Sequence, residues 1–297
     1  IIADAMLGVD LSEKRVRTIQ ENLEPLGARF EPDPFRFVTP DWVPTRENRA
    51  FAAALEALED VVTEIIAERR GTEGHADDDD PPMDLLSILL RAQHRDEQSD
   101  EQLRDEVMTM LLAGHDTTAL TLTYACYLLA EHPAVEERVH AELDAVLDGS
   151  PTFADVGELS YLDRVLQETM RLYPPVYTIF REPKVDVKLG GYRIPEGAAI
   201  MLPQWAVHRS PRWWAEPERF DPDRWARDRA AERPRFAHFP FGGGPRHCIG
   251  KQFSLLEAKL ILAVIGRDYR LQYTGTGDFN LRGSLTMHPQ DGMPMRI

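Results

Sequence analysis

The most constraining feature of the sequence is a glycine-rich loop near its C-terminal end, which reads FPFGGGPRHCIG over residues 239–250. An apolar, helix-like run follows, so the loop delivers Cys248 to the start of a helix. Three adjacent glycines let the main chain lie close against a flat ligand. Free N–H groups at a helix start stabilise negative charge, which places Cys248 to be a thiolate. The loop therefore predicts a ligand site built on one cysteine.

Haem iron is the main candidate ligand for this loop. A haem thiolate needs hydrogen bonds to sulfur, restricted water and a cation for a propionate. Phe241 can shield the sulfur and Arg246 supplies the cation. The loop alone would also suit a phosphate-binding turn or a buried structural cysteine, and a zinc site of Cys248 with His247 and His238 is a rival. The spacing F-x-x-G-x-R-x-C-x-G favours haem, because zinc would lack a second nearby cysteine.

A second motif, AGHDTT at residues 113–118, lies within the longest predicted helix. That helix covers about residues 100–131 and is apolar nearly all round after Val107. A carboxylate and two hydroxyls are costly in a buried helix, and Gly114 would let the helix widen into a polar notch. Asp116 beside Thr117 is an acid beside an alcohol, which can pass protons. The hexapeptide alone is equally consistent with a polar contact between helices.

The third motif is an E-x-x-R pair, Glu168 and Arg171, in a helix predicted over about residues 159–173. A spacing of three puts both charges on one helix face, where they attract each other. Such pairs are usually surface contacts worth little, but apolar neighbours indicate burial, where the pair must be fully hydrogen-bonded. Arg219, in the segment PERF at residues 217–220, can supply a second guanidinium.

Charge and composition limit the partners and the compartment. The formal net charge of −16 argues against nucleic acid as a partner. Two cysteines imply no disulfide framework, no stretch reaches the roughly 20 unbroken apolar residues of a membrane span, and no secretory signal opens the chain. We therefore expect a cytoplasmic protein. The acidic, lysine-poor composition suggests a halophilic origin, which a rise of activity and melting temperature in molar potassium chloride would test.

These motifs resemble those of the cytochrome P-450 family. The loop matches the family's haem-binding signature at every fixed position, and AGHDTT and E-x-x-R occur in the family's order. The resemblance implies a mainly α fold with small β-sheets, and haem b as the cofactor. It covers residues 1–297, which we expect to form a single domain that lacks its N-terminal third, since family members carry a long further stretch before this start.

The resemblance also implies a role for each site residue. Cys248 is the axial ligand of the haem iron, and Asp116 and Thr117 are the catalytic residues that deliver protons. Cofactor contacts are implied for Ala113, Gly114, Arg181, Phe241, Gly242, Arg246 and Gly250. Arg181 would hold a haem propionate. A buried structural cluster is implied for Glu168, Arg171 and Arg219. A mostly apolar substrate pocket is implied for Leu112, Ala113, Val176, Thr178 and Leu285.

The implied activity is that of a haem-thiolate monooxygenase, which inserts one oxygen atom from O2 into a lipophilic substrate. The sequence has no flavin or iron–sulfur motif, so the electrons must come from a separate ferredoxin or flavoprotein reductase. Lys251, Arg246 and Arg138 offer a basic patch for that partner. The alternatives are a peroxide-dependent peroxygenase or isomerase, and a haem-binding sensor that performs no oxidation. The acid–alcohol pair speaks against both.

Overall fold

The computed structural model describes residues 2–31, 42–73, 84–95, 97–277 and 279–297. The chain forms two compact units, Ile1–Asp116 and Thr117–Ile297. Both units contain part of one long helix. The glycine-rich loop at residues 239–250 and the E-x-x-R motif both lie in the second unit.

The first unit is helical. Its elements are α1 (Ile2–Leu7), α2 (Glu13–Ala28), α3 (Arg46–Glu73), α4 (Leu85–His94) and the first half of α5 (Asp100–Glu131). Side chains cap two of these helices: Ser12 accepts from the Arg15 N–H at the start of α2, and Asp84 accepts from the Ser87 N–H at the start of α4. The apolar faces of the helices meet in a core that includes Leu58, Ile65 and Leu103.

The second unit is built on three packed helices. Its helices after α5 are α6 (Pro133–Val146), α7 (Ser160–Leu172), α8 (Gln204–Val207), α9 (Arg227–Ala231) and α10 (Lys251–Asp268). Side chains from α6, α7 and α10 form one buried core, to which Leu143, Val165 and Leu262 belong. The Glu142 carboxylate accepts from the N–H groups of Tyr161 (2.6 Å) and Leu162 (2.8 Å). It thereby satisfies donors at the start of α7, which an uncapped helix would leave without partners.

Four small antiparallel sheets complete the second unit. The strands are β1 (Ile179–Arg181), β2 (Val187–Leu189), β3 (Tyr192–Ile194), β4 (Ile200–Leu202), β5 (Gln272–Tyr273), β6 (Leu281–Gly283), β7 (Met287–Pro289) and β8 (Met295–Arg296). They pair as β1 with β4, β2 with β3, β5 with β8, and β6 with β7. In the first pair, Ile179 lies opposite Leu202; in the last, Gly283 lies opposite Met287. The β6–β7 pair therefore presents Leu285 at its turn.

The architecture confirms the predicted fold class, which is mainly helical with small sheets. The longest helix has the predicted bounds, and it stays α-helical through Gly114, so the expected widening is absent there. The sequence from Ile179 to Val207 has a strand-like pattern, and the strand it predicts at the end of this stretch is wrong, because residues 204–207 form α8. Within the described residues, no helix combines the length and apolarity needed to cross a membrane.

Candidate haem-thiolate site

The glycine-rich loop closes on itself through two backbone hydrogen bonds. The Gly242 N–H donates to the Phe239 carbonyl (2.8 Å), and the Cys248 N–H donates to the Phe241 carbonyl (2.9 Å). Cys248 follows a short 3-10 turn and lies three residues before α10, with Gly250 as the helix N-cap. The loop thus fixes the backbone on both sides of the cysteine while its side chain stays exposed.

Glycine is required at two positions of this loop for different reasons. Gly242 has a φ of 70°, a left-handed conformation that side chains disfavour. A Cβ at Gly243 would lie 2.5 Å from the Phe236 ring, so any other residue would force that ring to move. The loop therefore keeps its path because of glycine at these positions.

The residues at the loop fit a haem held by one thiolate. Cys248 is an exposed thiol beside exposed Arg246 and Ile249, which is 75% exposed, so a sulfur, a cation and an apolar side chain share one surface. A Cβ at Gly250 would lie 3.9 Å from the Cys248 sulfur, so glycine keeps that side of the sulfur open. Phe241 lies at the base of the loop, with its carbonyl bonded to Cys248. A thiolate is the haem ligand that donates most electron density to iron.

The zinc alternative finds no support in this geometry. Among the described residues, no three side chains of His, Cys, Asp or Glu lie close enough together to hold a metal. His238 packs instead against Trp225 and His208, with ring centroids 4.4 and 4.8 Å away. Its burial lowers the imidazole pKa well below the usual value.

Glu168 and Arg171 lie in a group that we call the arginine cluster: Glu168, Arg171 and Arg224, which are buried, and Trp225, which is partly buried. The Glu168 carboxylate accepts two bonds from Arg171 (both 2.8 Å), one from Arg224 (3.2 Å) and one from the Trp225 indole (2.9 Å). The remaining Arg171 donors bind the carbonyls of His208, Pro217 and Arg219. A buried ion pair survives only with such complete hydrogen bonding.

The prediction that Arg219 is the third charged member of this cluster is wrong. Its side chain is 63% exposed and pairs with Glu216, so only its carbonyl oxygen faces the cluster. Arg224, whose side chain is 5% exposed, takes the expected place. The reason is local: Arg224 lies in a 3-10 turn, residues 222–225, which an Asp221 side-chain cap begins and which points both Arg224 and Trp225 at Glu168.

The AGHDTT motif forms part of α5. Asp116 and Thr117 are both partly buried, and the Thr117 carbonyl accepts a bond from the Thr121 hydroxyl (2.9 Å). Of the residues assigned to the cofactor or the pocket there, Leu112 and Gly114 are partly buried and Ala113 is exposed. These positions remain predictions as cofactor, catalytic and substrate contacts.

The sequence analysis missed a group that we call the hydroxyl cluster: Thr118, Ser254 and Glu257. The hydroxyls of Thr118, on α5, and Ser254, on α10, are 3.0 Å apart. Burial raises the pKa of the Glu257 carboxyl, while a bond from Thr118 works in the opposite direction. Its Oε2 is buried and has no hydrogen-bond partner in the described part of the chain. The sequence signal that could have identified this cluster is the Glu257 carboxylate, which interrupts an apolar run in α10.

The remaining predicted positions lie around the sheets. Leu285, at the β6–β7 turn, is 48% exposed. Two tyrosine hydroxyls fix this turn: Tyr124 donates to the Met287 carbonyl (2.6 Å), and Tyr177 donates to the Ser284 carbonyl (3.0 Å). Arg181, on β1, donates to the Phe180 carbonyl (2.8 Å). The partly buried Val176 and Thr178 lie in the segment between α7 and β1.

Comparison with known proteins identifies the family of this chain. The family model for cytochrome P450 matches residues 1–293. The chain belongs to the cytochrome P450 family. The P450 heme domain called P450DA has a TM-score of 0.81 and 31% identity, covering 99% of this chain and 65% of that one. The retinoic acid-bound cyanobacterial CYP120A1 has a TM-score of 0.83 and 29% identity, with the same coverage. Membership of this P450 family implies haem b as the cofactor.

Curated P450 relatives include monooxygenases of Streptomyces. The chain is 44% identical to cyclooctat-9-en-7-ol 5-monooxygenase of Streptomyces melanosporofaciens over 77% of this chain and 50% of the relative. It is 39% identical to pentalenene oxygenase of Streptomyces avermitilis over 86% of this chain and 56% of the relative. The chain thus spans little more than half the length of these P450 relatives.

Proposed function

We propose that the protein containing this chain is a haem-thiolate monooxygenase. The observation that carries the proposal is the position of Cys248, exposed beside α10 in a loop whose hydrogen bonds fix its backbone. When bound, the haem supplies the redox chemistry that activates O2, and a thiolate ligand favours cleavage of the O–O bond. Arg246 binds a haem propionate by its charge, and Arg181 is the proposed second cation.

Proton delivery is the proposed role of the polar residues on α5. Thr117 holds a hydroxyl proton at the site and Asp116, its neighbour in sequence, exchanges protons with solvent. The hydroxyl cluster supports a second store of protons, because burial favours the neutral form of the Glu257 carboxyl and Thr118 adjoins Thr117 along the chain.

The proposed substrate is a lipophilic alkene or alkenol. The Streptomyces relatives are named for cyclooctat-9-en-7-ol and pentalenene. The apolar Leu285, held at a turn by two tyrosine hydroxyls, supports a pocket wall of fixed position. Leu112, Ala113, Val176 and Thr178 are the other proposed substrate contacts.

Electrons would come from a ferredoxin or flavoprotein that docks near the cysteine loop. Lys251 and Arg246 are both exposed there. Arg138 instead forms a two-bond ion pair with Asp223 (2.8 and 2.9 Å), which partly neutralises it. Lys251→Glu should therefore slow reduction by the partner, and Arg138→Glu should have a smaller effect. Equal reduction rates in Lys251→Glu and the wild type would contradict this docking site.

The visible spectrum of the reduced, carbon monoxide-bound full-length protein tests the axial ligand. We expect the red-shifted Soret band of a thiolate complex in the wild type and in Cys126→Ala, which changes the partly buried second cysteine and serves as control. Cys248→Ser should lose that band. A red-shifted band that persists in Cys248→Ser would overturn the assignment.

Turnover measurements separate the monooxygenase from its alternatives. A monooxygenase consumes reducing equivalents when substrate is added, and Thr117→Ala should then release peroxide and lose coupled product. A peroxygenase or isomerase would keep its turnover in Thr117→Ala without a reductant. A haem sensor would show no use of reducing equivalents that depends on substrate.

A further inference from the structure

Two side chains, one at each end of α8, hold the backbone of Phe239, where the cysteine loop begins. The Gln204 side-chain amide donates to the Phe239 carbonyl (2.9 Å), and the Phe239 N–H donates to Nε2 of His208 (3.0 Å). Both side chains are completely buried, with 0% exposure. Polar groups in such an environment need specific partners, and one polar atom of each side chain finds its partner on a single residue of the loop.

The spacing of the two side chains explains how they act together. Gln204 begins α8 and His208 caps its end, so the two residues are four apart and lie on the same side of one helical turn. Gln204 presents a donor and His208 presents an acceptor. Together they give hydrogen-bond partners to both the carbonyl and the N–H of Phe239, as a neighbouring β-strand would.

This contact is connected to Cys248 by a short series of bonds. The Phe239 carbonyl also accepts from the Gly242 N–H, and the Phe241 carbonyl accepts from the Cys248 N–H. On the other side, Arg171 donates to the His208 carbonyl (2.9 Å). The arginine cluster, α8 and the cysteine loop are thus joined by direct hydrogen bonds within one compact unit.

We propose that Gln204 and His208 are positioning residues for Cys248. By fixing the N–H and carbonyl of Phe239, they hold the loop in the form that presents the cysteine sulfur to the haem iron. The role requires a neutral His208 whose Nε2 carries no proton, because a protonated Nε2 cannot accept from the Phe239 N–H. The inference rests on Cys248 being the axial ligand, as proposed above.

The surroundings of His208 favour that neutral form. Burial, followed by the nearby charges of Arg171 and Arg209, lowers the pKa of His208 to about 3, while the Met170 carbonyl acts in the opposite direction. The neighbouring ring of His238 is itself held neutral, chiefly by burial. Nδ1 has no partner of standard hydrogen-bond geometry among the residues described, so Nε2 is the ring atom that the structure uses.

Hydrogen exchange of the Phe239 amide in the full-length, haem-loaded protein tests the contact itself. His208→Leu removes the acceptor, whereas His208→Gln keeps a neutral acceptor near the Nε2 position. We expect exchange about tenfold faster in His208→Leu, as the loss of one buried hydrogen bond allows, and near wild-type exchange in His208→Gln. His140→Gln, in α6 beside Glu136, is the matched histidine control. Equal exchange in the Leu and Gln variants would overturn the contact.

The thiolate signature tests the positioning role. The reduced carbon monoxide complex of His208→Leu should convert from the thiolate form to a neutral-ligand form about tenfold faster than that of His208→Gln. In His208→Gln, which cannot titrate, the conversion on acidification should require a lower pH than in the wild type. A His208→Leu protein that is less stable but keeps its thiolate band for as long as His208→Gln would overturn the proposal. If the wild type itself lacks the band, the ligand assignment fails, and with it the positioning role, although amide exchange still reports on the contact.

Discussion

The second unit contains two polar groups that differ in how completely they are hydrogen-bonded. In the arginine cluster, Glu168 and Arg171 are 0% exposed, and the Glu168 carboxylate accepts bonds from Arg171, Arg224, Trp225 and the Asp221 N–H. In the hydroxyl cluster, the Glu257 carboxyl is partly buried, and its Oε2 has no partner within the described ranges. One cluster has fixed charges, and the other has a carboxyl whose proton is free to change.

This difference separates a structural role from a chemical one. A fully bonded buried ion pair resists any change of protonation, because each state other than the native one leaves charges without partners. A carboxyl with an incomplete set of bonds can gain or lose a proton with little rearrangement. The arginine cluster therefore suits the support of the cysteine loop, and the hydroxyl cluster suits proton transfer beside α5.

The largest expected effect comes from breaking the arginine cluster at Arg224. Arg224→Met removes a partner of buried Glu168, and such losses cost about 3–5 kcal/mol of unfolding free energy. Because Arg171 remains paired with Glu168, we expect about 3 kcal/mol, the lower end of that range. Denaturant unfolding followed by circular dichroism measures it.

Arg219→Met is the matched control for this prediction. The exposed Arg219 side chain pairs with exposed Glu216, so its loss should cost less than about 1 kcal/mol. Similar destabilisation by both substitutions would show that Arg224 has no special place in the cluster.

A smaller effect is expected at the hydroxyl cluster. Thr118→Val keeps the shape of the side chain but removes its bonds to Ser254 and Glu257, so we expect a loss of about 1–2 kcal/mol. Ser254→Ala removes the bond to Thr118 and should cost about 1 kcal/mol. The double variant should cost less than the sum of the two, because the Thr118–Ser254 bond is lost in both single variants. Strict additivity in denaturant unfolding would mean that the two hydroxyls do not interact.

Much of the fold followed from sequence periodicity. The bounds of α5 agree with the prediction, and those of α7 differ by one residue at each end, since both helices have long apolar patterns and proline or a cap nearby. The pattern could not separate α8 from the strand before it, because a four-residue helix is shorter than the period that identifies helices. Tertiary contacts with Phe239, rather than local preference, give α8 its place.

Sequence patterns could predict site residues only where those residues lie together in one continuous motif. The cysteine loop is continuous, so its spacing alone predicts Cys248 as the axial ligand, and that role stays a prediction. The arginine cluster joins residues more than fifty positions apart, and PERF and DPDRW offer equally placed arginines, so the sequence could not distinguish Arg219 from Arg224. Gln204, His208 and Glu257 are single polar residues whose partners lie on other elements, and only the structure identifies those partners.

The smallest effect on stability at neutral pH is expected from Glu257→Gln, and its value lies in the pH dependence. Burial raises the folded-state pKa of Glu257 above its unfolded value of about 4.5. The folded protein therefore holds this proton more tightly than the unfolded chain, and stability that is present below pH 4.5 is lost as pH rises through the folded pKa. Glutamine stays neutral, so melting curves of Glu257→Gln should lose less stability between pH 4.5 and 7 than those of the wild type. Asp163→Asn is the control for the loss of a charge alone. The Asp163 carboxylate, on α7, pairs with Lys259, which lies on the same helix as Glu257. A Glu257→Gln profile parallel to that of the wild type would mean that folding leaves the pKa of Glu257 unchanged, and the contrast between a fixed and a titrating cluster would then disappear.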